Sequence, residues 1–193
     1  MKKASLSGSP RESVGKKDAK QLRDAGLIPA VLYGGESQVP FSVVKLDMER
    51  LVYNPDVYAI DLEVGGKSYN AIIKDVQFHP VSDAIVHVDF LQLFEDKPVV
   101  VSLPVRTTGN SSGVRNGGRL SINHRSLKVR GIPSKLPEYI FVDITNLEIG
   151  DVSRVRDIKT ADYELMQAES DVVVAVKRTR AAMAAAAAAA AGK

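Results

Sequence analysis

The chain has 193 residues, a net charge of +3, 45% hydrophobic and 25% charged residues, a globular composition that excludes full disorder. It has no cysteine, which excludes a disulfide framework, cysteine-ligated zinc, an iron–sulfur cluster and a cysteine nucleophile. No apolar run approaches the roughly 20 residues of a membrane helix, and Met1–Gly8 lacks an apolar signal core; the expectation is a soluble, cytoplasmic chain without a membrane partner.

In chain order, Lys2–Leu6 predicts a short strand, and Gly8, Ser9, Pro10 and Gly15 a loop. Lys16–Ala25 predicts a short helix that Gly26 closes. Pro29–Tyr33 and Phe41–Val44 read as strands, and Asp47 as the cap of a helix over Met48–Tyr53. The alternation from Val57 to Val64, the Gly65-Gly66 turn and the return from Lys67 to Phe78 predict a hairpin. A further strand spans Ala84–Leu93, with Val86, Val88 and Phe90 on its core face. Five or six strands and one or two short helices suit a small closed or nearly closed β-barrel.

The boundary falls at Phe94–Pro98, dividing the chain into residues 1–94, 97–178 and a tail of 179–193. After it, Val99–Arg106 is a strand, Thr107–Gly118 a loop, Leu120–Arg130 one or two strands, and Ile132–Pro137 extended. Tyr139–Ile144 and Val172–Val176 are strands. Helical periodicity is nearly absent, so the second domain should be β-rich and the fold class mainly β. Eight alanines over 184–191 favour a frayed or docked helix.

Charge is distributed unevenly. Residues 1–35 carry seven cations against three acids, residues 36–96 four against eleven, and residues 97–193 fifteen against nine. Separated basic blocks suit a polyanion held at more than one place. In the first block Lys16, Lys20 and Arg23 fall at i, i+4 and i+7, on one face of the predicted helix, with Leu22 and Ala25 directed to the core and Arg11 in the loop before. Cations one turn apart can meet successive phosphates. Tyr33, at a strand end before Gly34-Gly35, can stack on a base or ribose. In the second block Arg115, Arg119 and Arg125 are candidate contacts on a long loop and its flanks.

His87 and Asp89 share one strand face, which suits a catalytic pair, a metal half-site with His79, or a polar recognition face. No nucleophile elbow accompanies them, and no third ligand is evident, so recognition is the favoured reading: no catalytic residue, metal, cofactor or small-molecule substrate is expected. Gly113-Val-Arg-Asn-Gly117-Gly118 lacks the Lys-Ser/Thr of a phosphate loop.

The run from Arg11 to Gly35, with Asp75-Val-Gln-Phe-His-Pro80 and His87-Val-Asp-Phe90, resembles the signature of the bacterial large-subunit ribosomal protein twenty-five family. Gly113–Gly118, Asn123-His-Arg125 and Val142–Asp151 resemble its long two-domain form, called Ctc or general stress protein. The resemblance implies a six-stranded barrel that binds 5S rRNA in a widened shallow minor groove, cytoplasmic and on the ribosome, beside neighbouring ribosomal proteins and rRNA of the central protuberance. It also implies RNA contact by Arg11, Lys16, Lys20, Arg23, Tyr33, His87 and Asp89, and by Lys74. Lys17 replaces a usual glycine and Lys20 a common arginine; lysine keeps a phosphate contact but not a bidentate one. A stress-related interaction module acting off the ribosome is the alternative. The acids of 36–96 are expected to lie away from the RNA face.

Overall fold

A computed structural model of the chain describes every residue except Glu36, Ala161, Ala181 and 184–193, so the alanine-run expectation lies outside the described residues. The chain forms two compact units. The first comprises Met1–Val99 with Ile132–Glu138; the second comprises Val100–Gly131 and the chain from Tyr139 onward.

The first unit is a closed six-stranded barrel. Its elements are β1 (Lys2–Pro10), α1 (Lys16–Asp24), β2 (Leu27–Tyr33), β3 (Val39–Val44), α2 (Lys45–Val52), β4 (Tyr58–Val64), β5 (Lys67–Phe78) and β6 (Ile85–Gln92). Around the barrel the order is β1-β3-β2-β6-β5-β4, so the β1–β4 seam lies across the barrel from the β2–β6 seam. Both seams are parallel, and the other pairings are antiparallel. The period-2 alternation of Ile60, Leu62 and Val64, of Ala30 and Leu32, and of Val88 and Phe90 turns one face of each strand inward. These residues are buried with Leu6, Phe41, Val43 and Ile85, and Met48 of α2 joins the same core. The Phe41 and Phe90 rings meet with centroids 5.4 Å apart and tilted 49°, a favoured aromatic geometry.

Three local expectations are corrected. The segment Gly8–Pro10 is strand, not loop. At Gly8, β1 leaves its parallel partner β4 and continues antiparallel to β3. A Cβ at Gly8 would come 2.6 Å from Phe41 Cδ2, so glycine lets the strand turn this corner over the core. Next, α2 starts at Lys45 after an extended Val44, with no side-chain cap. Asp47 sits in the first turn, where the helix dipole favours it. Finally, Ala25 is exposed, and α1 buries no residue fully. At the β4–β5 turn Gly65 and Gly66 have φ of 58° and 79°, the left-handed pair of a type I′ hairpin.

In the second unit, β7 (Val99–Thr108, which begins in the first unit), β9 (Ser126–Gly131), β10 (Ile140–Asp143) and β12 (Glu164–Leu165) form a sheet ordered β10-β7-β9-β12. A three-stranded sheet, β11-β13-β8, contains β8 (Arg119–Ile122), β11 (Val152–Arg154) and β13 (Val172–Lys177). Leu103, Leu127, Val129, Ile140, Val173 and Val174 are fully buried. Two segments depart from the sequence expectation. Thr107–Gly118 contains a helical turn, α3 (Ser112–Arg115), and Pro133–Lys135 is a 3-10 turn, not extended chain. Ser111 caps α3 by accepting from Val114 N–H at 3.3 Å, and donates to the Leu147 carbonyl at 2.6 Å. Gly113 explains the glycine-rich run: its Cβ would stand 2.6 Å from the Glu148 carbonyl carbon. Gly113 and Gly118 permit close backbone packing, and Gly117 supplies a left-handed φ of 88°.

Candidate nucleic-acid interface

The helix α1 joins β1 to β2 and packs along β2. Its amphipathic sequence leaves Ala19 and Leu22 half-buried and Lys16, Lys17 and Lys20 in solvent. Among the described residues none of these three lysines forms an ion pair. The third cation of the predicted row is engaged. Arg23 Nε donates to the Val86 carbonyl on β6 at 3.1 Å, which ties the helix to the neighbouring strand.

Arg11 is placed differently from its expectation as a phosphate contact. Its side chain is only 8% exposed, and its Nη2 and Nε both donate to the Asp18 carboxylate, the latter at 3.2 Å. Asp18 lies in the first turn of α1, so Arg11 holds the start of the helix against the end of β1. It positions the lysine row and offers little of its own charge to solvent.

Beside α1, the outward face of β2, β6 and β5 brings the remaining candidates together. Two β-bulges build this face. In β5 the register shifts between Ile73 and Asp75, so Lys74 is the extra residue. Ile73 and Ala71 belong to the inward set, and strict alternation would turn Asp75 inward as well. The bulge sends Asp75 outward, opposite Asp89, and Gln77 outward, opposite His87. In β6 the shift falls at Val86, between Ile85 and His87. Ile85, 3% exposed, takes the core position, and Val86 becomes half-buried. This overturns the expectation that Val86 shares the core face with Val88 and Phe90. Lys74, at its bulge, is exposed.

Asp89 is opposite Val31 in the parallel β2–β6 pair, and Tyr33 follows two residues on along the same face. The phenol of Tyr33 ionises above its ordinary range, first because of partial burial and then because Asp89 and Asp75 stand near. His87 Nδ1 lies 2.8 Å from Asp89 Oδ1, at hydrogen-bond distance but outside hydrogen-bond angles, so the buried nitrogen has no hydrogen-bond partner among the described residues. The pair is an ion pair only when the imidazole is protonated.

The face therefore combines an aromatic ring, an imidazole and two carboxylates that meet across a strand pair, a costly arrangement of like charge. Carboxylates here accept hydrogen bonds and repel phosphate, whereas the lysines of α1 attract it. Two acids of 36–96, Asp75 and Asp89, thus share the face of Tyr33 and His87. Asp75 and Gln77 are members of it that alternation alone does not find. The bulge at Lys74, which only strand pairing reveals, puts them there. Other acids do lie elsewhere: Asp47, Asp61 and Glu63 line a cleft of about 450 Å³ with Arg50, Ser5 and Ser7, near the β1–β4 seam. His79, once a third-ligand candidate, turns its Nδ1 to the backbone N–H groups of Val81 and Ser82, both at 3.3 Å. Among the described residues no group of three His, Cys, Asp or Glu is placed to hold a metal ion, and no helix is long and apolar enough to cross a membrane.

In the second unit Arg115 ends α3, Arg119 begins β8, and Arg125 follows the other end of β8. The structure thus groups Arg115 with Arg119 and sets Arg125 apart.

Comparison with known proteins covers both units. Residues 6–90 match the Ribosomal L25p family, and residues 98–180 match the ribosomal protein TL5, C-terminal domain. The large ribosomal subunit protein bL25 of Porphyromonas gingivalis is 45% identical over 184 residues, covering 94% of this chain and 96% of its own. Its namesake from Phocaeicola vulgatus is 45% identical over 189 residues, with the same shares covered. That from Christiangramia forsetii is 43% identical over 182 residues, 93% of this chain and 83% of its own.

Proposed function

Since the chain belongs to the Ribosomal L25p family, a structural component of the large ribosomal subunit in the cytoplasm rather than an enzyme, we propose that its barrel binds 5S rRNA in the central protuberance. The observation that carries this reading is the pairing of two chemistries on one side of the barrel. Lys16, Lys17 and Lys20 stand on α1 without an ion pair among the described residues. Beside them Tyr33, Asp75, His87 and Asp89 form a face of acceptors and rings.

The division of labour follows from charge. Lys16 and Lys20 take phosphates, and Arg23, anchored through Nε, offers its other guanidinium nitrogens to the same strand. Phosphate contacts set position and carry no base information. Asp89 and Asp75 accept from 2′-hydroxyl or base amino groups along a shallow minor groove, which A-form RNA exposes. Tyr33 packs on a ribose or base, and His87 fills the adjoining polar position. Lys74, at the edge of this face, adds a phosphate contact, and Arg11 holds α1 in register.

Filter binding with 5S rRNA against an unrelated RNA of equal length tests the reading. Tight, selective binding that weakens as salt rises is the expected result. Equal affinity for both RNAs would refute selective recognition, and no affinity for either would favour a stress-related interaction module acting off the ribosome.

A further inference from the structure

Lys177 and Arg119 stand directly opposite each other in the β13–β8 ladder. Cross-strand neighbours have Cβ atoms about 5 Å apart, and like charges so placed are destabilising. Both side chains are exposed. Three more cations gather at the same end of the sheet. Arg115 ends α3, Arg178 and Arg180 follow β13, and all three are exposed. Thr179 Oγ1 donates to the Gly117 carbonyl at 2.6 Å and accepts from Ala182 N–H at 3.1 Å. That bond fastens the segment after β13 to the segment between α3 and β8, so the five cations belong to one fixed surface.

Two acids lie nearby: Glu148 and Asp151 occupy the turn against which Gly113 packs, where Asp151 accepts from Glu148 N–H at 3.0 Å and Arg178 lies beside Gly150, but neither carboxylate is within ion-pair distance of a cation among the described residues. Among the described residues none of the five cations forms an ion pair. Two other cations of this unit are engaged, Arg106 stacking 3.6 Å above the Tyr139 ring and Arg156 pairing with Asp157 at 3.6 Å. A fold that stabilised itself alone would place opposite charges across β8 and β13.

We infer that the second unit carries its own RNA-backbone site, formed by Arg115, Arg119, Lys177, Arg178 and Arg180, which takes ribosomal RNA phosphates independently of the barrel. The cations sit on short polar segments without an aromatic among them, so the surface reads phosphate spacing and not base identity. The inference rests on membership in a ribosomal family and does not require that the barrel's ligand be 5S rRNA.

The test uses the full chain and a 30-base-pair RNA duplex of unrelated sequence. Arg119→Glu with Lys177→Glu should weaken duplex binding about tenfold near 0.1 M salt and flatten the salt slope by about 2, as two phosphate contacts are lost. The charge-keeping exchange, Arg119→Lys with Lys177→Arg, should leave both unchanged. The single variant Arg119→Glu sets opposite charges across the ladder; its thermal midpoint should hold or rise while duplex affinity falls. Unchanged duplex affinity and slope in the double-glutamate protein would overturn the inference. So would unchanged duplex affinity with impaired entry into the large subunit, which would assign the surface to an acidic protein. Affinity that falls only together with stability would overturn it too. The preference for 5S rRNA over the unrelated duplex should survive in the double-glutamate protein, which keeps failure of this site distinct from failure of the barrel reading.

Discussion

Asp89 concentrates the residue-scale argument. It faces Asp75 across the strand pair and touches His87, an arrangement that is unfavourable without a donor-bearing partner. Asp89→Ala is expected to weaken 5S rRNA binding by about 1–3 kcal/mol, the range for a lost charge-assisted hydrogen bond, with Asp89→Asn retaining part. Because no phosphate contact is removed, the salt slope should stay the same; affinities measured at several salt concentrations check this. Tyr33 reports on the same field. Burial first, then Asp89 and Asp75, raise its pKa. The folded state favours the neutral phenol, so this contribution to stability is complete below the unfolded pKa near 10. It is lost as pH rises through the higher folded value. An ultraviolet titration of the folded protein should find one tyrosine ionising late because of these carboxylates, and Asp89→Asn should bring that ionisation down while leaving the part due to burial.

At the scale of elements, α1 is a nine-residue helix with no fully buried residue. Isolated helices of this length are marginal, so its order depends on two tethers, Arg11–Asp18 and Arg23–Val86. The tether and the lysines are separable by salt. Lys20→Glu should lower affinity and reduce the slope of log K against log salt by about 1. Arg11→Gln should lower affinity through a loosened helix while the slope holds; a slope change of similar size would return Arg11 to direct phosphate contact. The β4–β5 hairpin offers a test of the scaffold alone. With Gly66 at φ 79° and open space where a Cβ would stand, Gly66→Ala should cost about 1 kcal/mol in denaturant unfolding through backbone strain alone, and leave RNA affinity intact because it changes no residue of the proposed face.

For the whole molecule, all six strands of the barrel lie within residues 2–92. A fragment of residues 1–99 should therefore fold and bind 5S rRNA, although residues 1–96 carry more acids than cations. Circular dichroism and filter binding on the fragment check both points. Its stability should fall below that of the full chain, because Ile132–Glu138 returns to the first unit and Leu136, only 4% exposed, belongs to that segment. A folded fragment that ignores 5S rRNA would move the primary site to the second unit.

Much of this was legible from residue patterns. Strict alternation and the Gly-Gly turn marked the hairpin, Gly26 marked the end of α1, and the lysine spacing marked a basic face, because each depends on neighbours a few positions apart. The family signature named the ligand class, which spacing alone does not. Bulges, closures and pair partners depend on which distant strands meet. Only the tertiary structure placed Asp75 and Gln77 beside Asp89 and His87, since an extra residue at Lys74 reverses the alternation. Only it turned Val86 from the core toward Arg23, set Arg11 in a pair with Asp18, and put Arg119 opposite Lys177. Local periodicity determined most elements of the barrel; long-range register decided which side chains share a surface, because a shift of one residue in a strand exchanges its two faces.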